Sequence, residues 1–124
     1  MILGVGIDAV EIARFAHWHT KSDKQLRRIF SEEEIVYCRS VPAKSAERFA
    51  ARFAAREALL KALSSINTNL SLLQVSRACK IVGMPPKIHI DLQALSVDRK
   101  GLTVHVSLSH AQTDAYAVVV AERA

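Results

Sequence analysis

Hydrophobic positions in this chain change period along its length. From Ile2 to Val10 they alternate: Leu3, Val5, Ile7 and Ala9 fall on one face, Gly4, Gly6 and Asp8 on the other. That is the period-two signature of a strand. Glycine weakens a strand, so two on one face imply close approach of another backbone or a ligand. Asp8, closing that bare face, is also placed to cap the next segment. From Glu11 the spacing turns helical, with Ile12, Phe15 and Ala16 on one side. Lys21, Lys24, Arg27 and Arg28 then recur at three- and four-residue spacing as a basic ridge along a helical face. Ser31 followed by three glutamates is a helix start, continued through Ile35, Val36 and Cys38 and broken at Val41-Pro42.

Residues Arg48 to Leu63, RFAARFAAREALLKAL, form the strongest pattern. Phe49, Phe53, Leu60 and Leu63 recur at helical spacing among strong helix formers, with no Gly or Pro to interrupt them. The spacing predicts one amphipathic helix, with residues 43–47 leading into it. On it Glu57 projects from the side of Phe53, Leu60 and Ala50, with Lys61 one turn on and Arg52 and Arg56 along a flank. An exposed Glu57–Lys61 pair is the ordinary reading of such a stripe. A carboxylate among apolar neighbours, with three cations in reach, also points to a bound group.

After Leu63 comes a polar loop, and the period falls to two. Gln74 to Val82 reads as a strand, ended by Gly83-Met84-Pro85-Pro86. Lys87 to Leu92 turns Ile88, Ile90 and Leu92 inward; Arg99-Lys100-Gly101 is a turn; Thr103 to Ser109 puts Val104, Val106 and Leu108 on one face. Ala111 to Asp114 turns again before a last apolar strand, Ala115 to Ala121. Helices first and antiparallel strands after predict an α+β fold: an antiparallel sheet, joined by the first strand, packed against one long helix and shorter helices. No linker or repeat divides it, so residues 1–124 are expected to be one domain.

Half of the 124 residues are hydrophobic, enough for a core without disulfides. Cys38 and Cys79 lack metal-type spacing and read as free thiols in a reducing compartment. No stretch reaches transmembrane length and Met-Ile-Leu-Gly lacks a basic leader, so a cytoplasmic, membrane-free protein is expected. The net charge of +5, spread along the chain, calls for an anionic partner. One tryptophan and no interleaving of aromatic with basic residues weigh against nucleic acid.

Three places stand out chemically: Asp8, Glu57, and Ser107-Leu108-Ser109-His110 at the end of a strand. Two carboxylates brought together by a strand lying on a helix suit magnesium, which takes oxygen ligands, keeps waters and accepts substrate phosphates. Lys61, Arg52 and Arg56 would face those phosphates.

These residues carry a family resemblance over essentially the whole chain. GVGIDAVEIARF, FAARFAAREALLKAL and VSLSHAQTDAYAVVVAE resemble, in order, the three signature segments of the holo-acyl-carrier-protein synthases, the small bacterial-type phosphopantetheinyl transferases. The resemblance implies transfer of the 4′-phosphopantetheine arm of coenzyme A to a serine of apo acyl carrier protein, releasing adenosine 3′,5′-bisphosphate, in support of fatty acid biosynthesis. It implies Mg2+ held by Asp8 and Glu57, with Lys61 facing phosphate as the third catalytic residue. It places Arg52, Arg56, Lys61, Ser109 and His110 at coenzyme A. Arg14, Lys21, Lys24 and Arg28 fall on the surface that receives the carrier protein's acidic helix. It also implies a homotrimer with each site between neighbouring subunits. Arg56 stands where the family usually has lysine, keeping the charge but not a proton donor. Ser64 and Ser65 stand where it usually has glycine. The general base is left among a metal-activated water, Glu57 and Glu34. A reading from another class is a non-catalytic basic module for nucleic acid or nucleotide, marked by affinity that falls steeply with salt.

Overall fold

The computed structural model describes residues 1–124. Strand β1 (Ile2–Glu11) leads to two 3-10 turns (Ile12–Phe15 and Trp18–Thr20) and helices α1 (Asp23–Leu26) and α2 (Glu32–Arg39). Then come the 20-residue helix α3 (Ser45–Ser64), helix α4 (Leu72–Ala78) and strands β2 (Cys79–Val82), β3 (Lys87–Ile90), β4 (Leu102–His110) and β5 (Asp114–Arg123). β1, β5 and β4 form an antiparallel sheet in that order, and β2 and β3 form a separate hairpin. The expected α+β architecture is present, with the first strand paired to the last.

The bare face of β1 is the buried one. A Cβ on Gly4 would collide with the carbonyl oxygen of Ala62, and one on Gly6 with that of Ala58. The close partner that the glycines call for is therefore the backbone of α3. Ala58 and Ala62 on the helix meet Ala117, Val119 and Ala121 on β5 in the same core, all of them buried. Small side chains on both layers let the backbones approach closely and bury much area per residue. The opposite face of α3 carries Phe49 and Phe53, which pack with Phe15, Trp18 and Phe30 at centroid separations of 4.5 to 6.3 Å. Cys38 and Cys79 are unpaired and buried, and burial pushes their thiols up to about 12 and about 11.

Because the glycine face is covered, the apolar face of β1 looks outward. Val5 and Ile7 are 56% and 65% exposed. Val118, Val120 and Tyr116 of β5 share that side of the sheet by register.

Two elements differ from the sequence expectation. Gln74 does not open a strand: Ser71 and Gln74 form a capping box that starts α4, and the strand begins only at Cys79. Local hydrogen bonding to the first-turn amides outweighs the short apolar alternation. The segment after Glu11 is not one helix. His17, at its middle, is followed by a 3-10 turn, and Ser22 caps a new start with its own box to Gln25. The basic residues 21–28 therefore do not line a single helical face.

Substituting Gly6→Ala is expected to lower unfolding free energy by about 3 kcal/mol, the upper range for overpacking, because rigid backbone opposes the added methyl. Urea denaturation checks this; an unchanged midpoint would mean that β1 does not sit on α3.

Candidate active site

Asp8 lies on the helix-facing side of β1, in register with Ala117 and, beyond it, Leu108. Its side chain is 17% exposed. Lys61 Nζ donates to Asp8 Oδ1 at 3.1 Å and to the Ile7 carbonyl at 2.9 Å, fixing the lysine to the strand. Glu57 stands one helical turn before Lys61, half-buried and without an ion pair in the chain. The strand thus brings one carboxylate to the flank of α3 that carries the other. No third His, Cys, Asp or Glu joins to make a cluster. Two hard oxygen donors, one partly buried and one partnerless, fit magnesium, which completes its shell with water and phosphate.

The arginines expected beside Glu57 are elsewhere. Arg52 and Lys61 are nine positions apart, as are Arg48 and Glu57. At 3.6 residues per turn that is half a revolution, so the two pairs occupy opposite flanks of α3. On the second flank lies a cleft of about 330 Å3. Lys44, Arg48 and Arg52 line it with Tyr37, Ser109 and His110. Arg52 is only 5% exposed, and its Nε has no hydrogen-bond partner. His110 Nδ1 lies 3.5 Å from Glu47 Oε2. Lys44, Tyr37 and Arg48 were not singled out from sequence for this role. Arg48 carried a signal, since it precedes Arg52 by one turn and shares its flank.

Arg56 does not reach either flank. It is fully buried, and its guanidinium forks onto Glu34, Nη2 to Oε1 at 2.6 Å and Nη1 to Oε2 at 2.8 Å. Nη2 also reaches the Cys79 carbonyl at 3.4 Å, and the group lies 5.0 Å from the Phe30 ring centroid. Burial is the largest single influence on Arg56 and opposes its charge, but the hydrogen bonds and charge of Glu34, with the neighbouring cysteines, together raise its pKa. The expectation that Arg56 contacts coenzyme A is corrected accordingly: a side chain with no exposed surface and both terminal nitrogens engaged holds α3 to α2 and β2. Glu34 drops out as a base for the same reason, being equally buried and also bonded by the Ser31 hydroxyl.

Arg14, Lys21, Lys24 and Arg28 are all exposed, though on separate short segments. Arg14 and Lys21 lie against aromatic rings, Lys21 at 5.3 Å from the Trp18 centroid. Arg27 is paired with Glu32 and Asp23 and offers no free charge.

The candidate residues therefore fall into two groups. Asp8 lies on one edge strand of the sheet and Ser109 and His110 on the other, with β5 between. Replacing Glu34→Ala should cost about 3–5 kcal/mol by stranding a buried guanidinium. A melting curve tests this; a loss below 1 kcal/mol, on the scale of about 0–1 kcal/mol for an exposed pair, would contradict the buried strut.

A model of the 4′-phosphopantetheinyl transferase superfamily matches residues 4–121. A holo-[acyl-carrier-protein] synthase of Treponema denticola is 40% identical over 124 residues, covering 98% of this chain and 99% of that protein. Among solved structures, the acyl carrier protein synthase of Mycobacterium tuberculosis superposes with a TM-score of 0.72 at 31% identity, covering 100% of both chains. The holo-[acyl-carrier-protein] synthase of Helicobacter pylori, solved in complex with coenzyme A, gives a TM-score of 0.69 at 32% identity, covering 95% of this chain and 99% of that one. With the family model spanning nearly the whole chain and relatives matched end to end, this chain belongs to the 4′-phosphopantetheinyl transferase superfamily, as an enzyme of its holo-[acyl-carrier-protein] synthase family.

Proposed function

We propose that this chain, as one domain over residues 1–124, transfers the 4′-phosphopantetheine arm of coenzyme A to a serine of apo acyl carrier protein. The reaction depends on Mg2+, releases adenosine 3′,5′-bisphosphate and serves fatty acid biosynthesis in the cytoplasm. The observation that carries this reading is the pairing of Asp8 with Lys61 beside a partnerless Glu57, opposite a cleft with three cations. No helix is long and apolar enough to cross a membrane.

Asp8 and Glu57 would hold the metal, which supplies Lewis-acid stabilisation of charge on phosphate oxygens. Lys61, held by Asp8 and the Ile7 carbonyl, presents its remaining ammonium proton toward the same charge. Arg52, with Lys44 and Arg48, meets the anionic groups of coenzyme A, and Ser109 and His110 form the wall opposite them. Arg14, Lys21, Lys24 and Arg28 supply an exposed positive surface for an acidic carrier helix, which raises encounter rate and fixes orientation. Glu34 being engaged, Glu57 remains as the carboxylate that would take the serine proton, with a water acidified by magnesium at Asp8 and Glu57 as the alternative acceptor.

The assembly is a homotrimer in this reading. Val5, Ile7, Val118 and Val120 make an outward apolar sheet face of the kind that marks a protein interface. Covering it with neighbouring copies brings the Asp8 edge of one chain toward the His110 edge of the next, completing a site that neither has alone.

Incubation with coenzyme A, magnesium and apo carrier protein should add the phosphopantetheine mass to the carrier, as read by mass spectrometry, and a chelator should stop it. Glu57→Ala should lower the rate at least a hundredfold, on the scale of about 10²–10³ for removing one electrostatic contact, while leaving the circular dichroism unchanged. Full activity in that variant would refute its metal role.

Shared sites make a second prediction. Asp8→Ala and His110→Ala chains, each inactive alone, should regain activity when refolded together, because some interfaces then carry both intact halves. No recovery from a mixture shown by native mass spectrometry to contain mixed trimers would place each complete site within one chain.

A further inference from the structure

Arg48 and Arg52 lie one turn apart on α3, and neither pairs with a carboxylate. Two like charges at this spacing repel each other. Arg52 is nearly buried as well, a costly state for an unpaired cation. What accompanies both is one ring: the Arg48 guanidinium carbon lies 4.0 Å from the Tyr37 centroid, and that of Arg52 lies 4.4 Å from it. Arg48 Nη1 also donates to the Tyr37 carbonyl at 2.9 Å and to Ser40 Oγ at 3.0 Å. Tyr37 comes from α2, whose neighbouring turn is tied to α3 by the buried Glu34–Arg56 pair. Its ring is therefore held from outside the helix that carries the arginines.

We infer that Tyr37 is a positioning residue, whose ring face holds Arg48 and Arg52 together at the cleft and so prepares them for an anionic group of the donor substrate. The inference rests on coenzyme A being that donor. An aromatic face offsets part of the charge of each guanidinium without using its N–H donors; Arg48 Nη1 is already engaged, while Nη2 of Arg48 and the terminal nitrogens of Arg52 stay available to a phosphate. It also removes rotamer freedom that binding would otherwise have to remove. The phenolic hydroxyl has no role in this arrangement, so the ring alone carries the effect.

The experiment compares wild type, Tyr37→Phe and Tyr37→Leu, with Tyr37→Met as a second ringless variant should the leucine substitution unfold the chain. Calorimetric titration with coenzyme A is paired with transfer kinetics. Tyr37→Phe should bind within about twofold of wild type, and the ringless variants about tenfold more weakly, because two arginine side chains must then be ordered on binding. The Michaelis constant for coenzyme A should follow that loss, while kcat and the Michaelis constant for the carrier protein hold. In an Arg48→Met background, loss of the ring should cost less than in wild type, since one of its two charges is already gone. Wild-type affinity in a folded ringless variant, or an equal loss in Tyr37→Phe, would overturn the positioning role and leave the transferase reading intact. Failure of the wild type to bind coenzyme A would remove the donor on which both rest.

Discussion

Contact between a glycine strand and an alanine helix governs much else in this molecule. Gly4 and Gly6 leave no side chain between β1 and the backbone of α3 at Ala58 and Ala62. Asp8, two residues on in the same strand, is thereby brought to the flank that carries Glu57 and Lys61, and Lys61 reaches back to bond it. A larger residue at either glycine would lift the strand and carry the carboxylate away from its neighbours. The same contact commits the other face of β1 outward, which is why Val5 and Ile7 are exposed in an isolated chain.

A second fixed point lies across the helix. The forked Arg56–Glu34 bond is fully buried, where removing either partner would leave an uncompensated charge. It joins α2, α3 and, through the Cys79 carbonyl, β2. Position 56 thus serves as a strut next in sequence to the partnerless Glu57. Its arginine suits that task better than lysine, since a planar fork meets both carboxylate oxygens at once.

Between these two anchors α3 works as a divider. One flank carries Glu57 and Lys61, the other arginines stacked on Tyr37, and half a helical revolution separates them. In the proposed trimer, a neighbouring chain would bring the second group to the first. The exposed apolar face of β1 is the reverse of the face that positions Asp8, so one strand serves both the proposed assembly and the proposed site.

Much was legible from local pattern. The long helix, the capped start at Ser31 and the alternating strands before and after the turn at Ala111 follow from periodicity and hydrogen bonding within a few residues. The three signature segments pointed to Asp8, Glu57, Lys61, Arg52 and His110, and the family they resemble is the one the comparisons support. Other features were decided only in three dimensions. Whether Gly4 and Gly6 faced a ligand or a helix, whether Arg56 met solvent or Glu34, and which arginines shared a flank with Glu57 all depend on partners far away in sequence. Alternation says that a strand has two faces, but which one is buried is set by the layer that lands on it, and so by the register of β1 against β5 and the seat of α3 upon them.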